Sequence, residues 1–181
     1  MPRLPALDPA ELSPAQKRVH DMIVAGPRGS VPGPLAVWLR RPELAERAQA
    51  LGKYCRYDSS LPPRLSELAI LVTARYWTAD YEWWAHEKHA RAAGLADAVI
   101  EAVRAGRAPA LERDDEAAVY EVATTLYRER RLPDAVYRRG LDALGEGGMV
   151  DLVGIMGYYA LIAMTINAFD VRPPDGKPCF P

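Results

Sequence analysis

Proline sets the limits on what this chain can fold into. Fourteen of its sixteen prolines lie before Arg64 or after Val171, and only Pro109 and Pro133 fall between. A proline has no backbone N–H and its ring clashes with the preceding turn, so it sits in the first turn of a helix, at a bend or in an extended segment. The middle of the chain is therefore free to form long helices, whereas its ends are cut into short pieces.

The pieces can be placed from their stop and start signals. Pro2, Pro5 and Pro9 predict an extended arm over residues 1–12. Ser13-Pro14-Ala15-Gln16 joins a capping-box pattern to proline at the first helical position, and Gly26 ends that first helix. From Gly26 to Pro34, six of nine residues are Gly or Pro, which predicts a loop; it lacks the Gly-Lys-Ser/Thr of a phosphate-cradling P-loop. Pro42 opens a helix that runs through Cys55 to the break at Leu61-Pro62-Pro63, and helices follow over about 63–79, 80–93 and 95–105, with Asp80 and Gly94 as punctuation. An amphipathic helix over 113–131 ends in the solvated run Arg128-Glu129-Arg130-Arg131. Helices over 133–144 and 149–169, separated by a turn at Gly145 to Gly148, complete the set, and the proline-rich tail 172–181 is expected to be irregular. No strand alternation or internal repeat appears. The expected fold is all-α: a single-domain bundle of about eight helices over residues 13–171.

Several function classes fall away on charge and composition. Twenty-three basic residues against 24 acidic ones leave a formal charge of −1, with no broad attraction for nucleic acid or an anionic membrane. The most apolar stretch, Leu152 to Ile166, is shorter than a bilayer span and is interrupted by Gly154 and Gly157, so a buried helix is expected. Met1-Pro2-Arg3-Leu4-Pro5 lacks the pattern of a secretory signal, which makes the cytoplasm the expected location. Cys55 and Cys179 are far apart and form neither a disulfide framework nor a zinc spacing.

Chemistry concentrates in the helices over 63–79 and 80–93. The first is apolar nearly all round, so Glu67 is expected to sit at least partly out of water as a group poised for proton transfer, with an internal ion pair to Arg75 or an exposed edge as the alternatives. In the second, Glu82 and His86 are four apart and share a face: a carboxylate–imidazole pair that could move protons, or a plain helix-surface pair. If the two helices pack as an antiparallel hairpin, Glu67 can orient His86. His89 continues the same stripe, but three histidines in the whole chain are too few for a di-metal Glu-x-x-His site, and no metal or cofactor is expected. Glu87 and Lys88 read as solvated. Tyr76, Trp77, Tyr81, Trp83 and Trp84 crowd the same region; Tyr81 and Trp83 are candidates for substrate-binding walls, with ordinary packing as the alternative.

Glu67, then Tyr81-Glu82-Trp83-Trp84-Ala85-His86 and Ala90-Arg91-Ala92-Ala93-Gly94-Leu95, resemble the carboxymuconolactone decarboxylase family, which includes the alkylhydroperoxidase D-like proteins. The likeness extends to Gly26-Pro27-Arg28-Gly29, Pro32-Gly33-Pro34, Pro42-Glu43-Leu44, Tyr158-Tyr159 and Asn167-Ala168-Phe169. It implies an all-α fold assembled as a homo-oligomer, a trimer or hexamer, with a small-molecule substrate handled around the helix pair. Peroxide-reducing members of the family carry Cys-x-x-Cys between the Glu and the His; Ala79 and Glu82 occupy those positions here, so the dithiol chemistry has no thiols. Decarboxylase-type members instead place Glu-x-x-x-His at this point, as Glu82 and His86 do. The resemblance therefore implies Glu67, Glu82 and His86 as catalytic residues in acid–base decarboxylation of a small organic acid or lactone. The rivals are a peroxiredoxin-like antioxidant activity with an atypical centre, and a non-catalytic oligomeric binder of small molecules.

Overall fold

A computed structural model describes residues 3–181; Met1 and Pro2 of the expected arm lie outside the described residues. All regular elements among the described residues are helical: α1 Pro14–Ala25, α2 Gly33–Trp38, α3 Pro42–Lys53, α4 Pro63–Trp77, α5 Asp80–Ala92, α6 Asp97–Arg104, α7 Asp114–Glu129 and α8 Asp134–Phe169. The fold is the all-α bundle the proline pattern predicts.

Two differences from that pattern have local causes. Helix α2 begins inside the expected loop, because Gly33 and Pro34 serve as its first two residues, positions where a missing N–H costs nothing. The last two expected helices join as α8, with a single non-helical residue, Gly145 at φ 70° and ψ 174°, where the glycine-rich turn was expected. Among the remaining helices, Ser13 and Gln16 form the full reciprocal capping box of α1. The arm is less extended than expected. Asp8 caps a short 3₁₀ turn over Pro9–Glu11, and Arg40 donates to the Pro5 carbonyl.

Helix α4 lies at the centre and packs against α5, α6, α7 and α8. Leu68, Ala69, Leu71 and Ala74 on it are inaccessible to solvent, as are Val119 and Val122 of α7 and Leu152 and Ile155 of α8. Burial on every side explains why α4 shows no polar stripe. Helix α8 is long and apolar enough to cross a membrane, yet 61% of its apolar window is buried within the fold, the pattern of a core helix. Arg64 at the start of α4 is paired with Asp115 and Glu116 of α7, which closes that end of the bundle.

The turn from α4 to α5 decides the geometry of the site. Thr78 adopts the left-handed conformation (φ 51°, ψ 44°), and the Ala79 N–H reaches back to the Ala74 carbonyl at 2.9 Å. Asn167 of α8 donates to the Trp77 carbonyl at 2.6 Å, satisfying another orphan group of that helix end. Two residues, Thr78 and Ala79, thus reverse the chain and lay α5 back along α4 as a hairpin. Asp80 does not cap α5, whose N-cap is Ala79; it accepts instead from the Cys179 N–H at 2.6 Å and ties the irregular tail across the turn.

Candidate active site

The hairpin brings Glu67 of α4 opposite His86 of α5. His86 Nδ1 lies 2.8 Å from Glu67 Oε2, and both side chains are buried. With Nδ1 facing the carboxyl group, Nε2 is the second functional nitrogen of the ring. Glu67 therefore pairs with His86 rather than with Arg75, whose guanidinium stacks over Phe180.

Glu82, one helical turn before His86, is 1% exposed, and neither carboxyl oxygen has a hydrogen-bond partner among the described residues. The expected Glu82–His86 pair is thus not formed: neighbouring positions on one helix face allow a contact, but the carboxylate across the hairpin captures the ring. Burial without any compensating hydrogen bond pushes the Glu82 carboxyl well above the usual carboxylate range, which favours its protonated form. The two carboxyl groups near His86 thus have different surroundings: Glu67 is hydrogen-bonded to the ring, and Glu82 is buried without a partner.

Glu82 and His86 line a cavity of about 70 Å³ together with Tyr81, Arg28, Arg56, Tyr158 and Tyr159. The Tyr159 ring meets His86 edge-on at 4.9 Å, and Tyr158 meets Tyr159 in the same way at 5.2 Å. Burial pushes the Tyr158 hydroxyl up to about 12 and Tyr159 well above its ordinary value, so both remain protonated donors. Arg56 is carried on a π-helical turn, Tyr54–Asp58, that continues α3; such wide turns recur at functional sites because they swing a side chain out of helical register. Asp151 of α8 holds that turn by accepting from Tyr54 Oη at 2.6 Å and from the Ser60 N–H at 2.7 Å. Wider clefts of about 480 and 470 Å³ lie against the tail and the N-terminal arm, but neither is lined by a buried ionisable side chain.

The aromatic crowding resolves into separate environments. Tyr81 lines the cavity; Trp83 does not. Trp83 is fully buried on another side of α5, where its Nε1 donates to Glu87 at 3.0 Å and its ring packs edge-on against Phe180 of the tail. Glu87 is accordingly not a solvated residue: it also binds Arg91 and Arg104. Tyr76 and Trp84 are exposed. His89 meets Arg56 through Nε2 at 2.9 Å, and burial together with that guanidinium lowers its pKa. No cluster of three potential metal-ligating side chains forms among the described residues. Arg28, Arg56 and the hydroxyl of Tyr158 are the site residues that sequence patterning missed as functional groups; a lone arginine in a Gly/Pro loop and a tyrosine pair inside an apolar helix were the available signals.

Residues 42–125, which contain Glu67, Glu82 and His86, match the model of the carboxymuconolactone decarboxylase family. Over that stretch the chain is similar to the carboxymuconolactone decarboxylase family. Solved structures agree on the fold. An alkylhydroperoxidase AhpD core protein of Ralstonia eutropha, described as an uncharacterized peroxidase-related protein, superposes with a TM-score of 0.79 at 17% identity, covering 96% of this chain and 93% of that one. An uncharacterized peroxidase-related protein from a Silicibacter species gives 0.75 at 15% identity, with 96% and 91% covered. A protein of unknown function from Agrobacterium tumefaciens gives 0.68 at 16% identity, with 78% and 99% covered. No curated protein matches the chain. Ala79, fully buried, and Glu82 stand where the sequence resemblance places the redox thiols of peroxide-reducing members. The chain's own cysteines lie elsewhere, and burial raises each thiol to about 11, which leaves little thiolate at neutral pH.

Proposed function

We propose that this protein is an acid–base enzyme that decarboxylates a small organic acid or lactone. One observation carries the reading: a fully buried Glu82 carboxyl with no partner among the described residues faces the same cavity as a Glu67-oriented His86. In such a reaction the C–CO₂ bond breaks, its electron pair passes into an adjacent carbonyl, CO₂ leaves, and the pair returns to carbon when that carbon takes a proton. A neutral carboxyl in an apolar site is the group suited to deliver that proton. His86, polarised by Glu67, then relays a proton back to the Glu82 carboxylate, which desolvation makes a strong base. The whole cycle needs no thiolate.

Steady-state assays over a panel of β-keto acids and lactone acids test the reading. Glu82→Gln and His86→Ala are each expected to lower kcat by about 10²–10⁴-fold, the range for lost general acid–base catalysis. Turnover at the wild-type rate in both variants would remove these residues from the mechanism. The family resemblance also implies self-association, and an unpartnered apolar row on α8, Val150, Val153 and Met164, supports a homo-oligomer.

A further inference from the structure

Arg28 is the unexplained charge of this cavity. Its Nε and Nη2 atoms are buried and have no hydrogen-bond partner among the described residues, and no carboxylate pairs with it. Tyr158 Oη is buried and unpartnered as well. The two groups converge above Gly52 of α3: a Cβ there would lie 2.1 Å from Tyr158 Oη and 2.8 Å from Arg28 Nη2. Arg56 lines the same cavity and, among the described residues, forms no ion pair either; its one polar contact is the neutral imidazole of His89. With Glu82 protonated, the side chains around this space sum to an excess of positive charge. A guanidinium and a phenol left unsatisfied at a shared point are costly in the empty protein, and an anion with two acceptor oxygens satisfies both.

We infer that Arg28 and Tyr158, assisted by Arg56, form the binding site for the carboxylate of a short-chain organic acid. The inference rests on the acid–base reading above and sharpens its substrate class. The carboxylate anchored at Arg28 is the one the substrate keeps, because a salt bridge stabilises a carboxylate that must otherwise lose its charge as CO₂, and binding the reactant more tightly than the transition state slows a reaction. The reacting carbon is then the part that extends toward Glu82. A cavity of about 70 Å³ is roughly half the ~150 Å³ that accommodates benzene, which restricts the chain to a few carbons beyond the anchored group. Neutral esters and amides of the same shape leave Arg28 unpaired and are rejected.

Acetate and propionate, compared with acetamide and propionamide, probe this site without any turnover. Ligand-observed NMR and calorimetric titration of the whole protein are expected to show saturable binding of the acids, at least about tenfold tighter than their amides, a difference near 1.4 kcal/mol. Arg28→Gln is expected to erase the preference and Arg28→Lys to restore part of it, while Tyr158→Phe, which keeps the ring, weakens acetate several-fold. Thermal unfolding checks that each variant folds; should Arg28→Gln fail to fold, the Tyr158→Phe result decides. Equal affinity for acid and amide, no acid binding at all, or an acid preference that survives in Arg28→Gln would overturn the inference. The two readings fail separately. Arg28-dependent acetate binding without turnover of any substrate removes the acid–base reading, and acetate binding indifferent to Arg28 beside a Glu82-dependent turnover removes this one.

Discussion

Replacing Glu82 by glutamine keeps the shape of the side chain and removes its titration, which turns the burial of that carboxyl into a measurable slope. In the unfolded chain the group ionises near its ordinary value of 4.5, whereas burial holds it protonated in the folded protein to well above that pH. Below the unfolded value both states carry the proton and the group contributes no pH dependence. Above it, the unfolded state gains free energy by ionising while the folded state cannot follow. Wild-type stability therefore falls by about 1.4 kcal/mol per pH unit from this group, levelling off once the folded-state carboxyl itself ionises. Glu82→Gln lacks that loss, so its stability relative to wild type rises with the same slope. For a chain of this size ~1 kcal/mol corresponds to ~2–4 °C, so the two melting temperatures are expected to separate by about 3–6 °C per pH unit. Any fixed cost of burying an unpaired amide displaces the variant's curve equally at every pH and leaves the slope untouched. Urea unfolding of both proteins from about pH 5 to about pH 7, at one protein concentration, measures the difference directly. Parallel curves would mean that Glu82 is ionised or hydrated in the folded state, and the proton donor of the proposed reaction would be lost with it.

Three further outcomes follow from other parts of the structure. Asp151→Ala frees the π-helical turn that carries Arg56 and is expected to cost about 2–3 kcal/mol, the loss of hydrogen bonds to a charged group. Burial acts to raise the Asp151 carboxyl, but its bonds from Ser60 and Tyr54 outweigh it and hold the group below 3.8, so the wild-type advantage is present above that pH and vanishes in acid; a pH-independent difference in denaturant midpoint would contradict this. Cys55→Ser combined with Cys179→Ser is expected to leave turnover of an organic acid unchanged in the assay described above, and loss of turnover would bring thiol chemistry back into the mechanism. Val150, 73% exposed in the single chain, is expected to lie in the contact between copies; Val150→Glu should therefore give a lighter species than wild type in sedimentation, and a monomeric wild type would end the proposal of self-association.

What could be read from the sequence was whatever depends on the chain's own local rules. Proline and glycine placed six of the eight helices within a few residues because their constraints act on φ and on the backbone N–H. They misplaced α2 because Gly33 and Pro34 are as well suited to a helix start as to a loop. Glu67 was legible as an out-of-water carboxylate from the apolar face around it, and its meeting with His86 followed once a hairpin was assumed. The partnership of Glu82 was misread because spacing along one helix says which side chains are neighbours, not which of two carboxylates an imidazole will choose. Trp83 was drawn toward the cavity by its company, although its position one residue after Glu82 turns it about 100° around α5 and away from the cavity. Arg28, in the loop between α1 and α2, and Tyr158 of α8 are 130 positions apart and meet only beside Gly52 of α3, and no local pattern joins them.

Gly52 has a practical consequence for anyone stabilising this protein. A glycine inside a helix is among the first positions a design procedure changes, since alanine there ordinarily gains about 0.5–1 kcal/mol. At position 52 the added methyl group would take the space now held by the Tyr158 hydroxyl, and the gain in helix propensity would be set against a clash with that ring and with Arg28. Gly52→Ala is therefore expected to lower the melting temperature and to weaken anion binding together, because Tyr158 is buried and has to move to admit the methyl group.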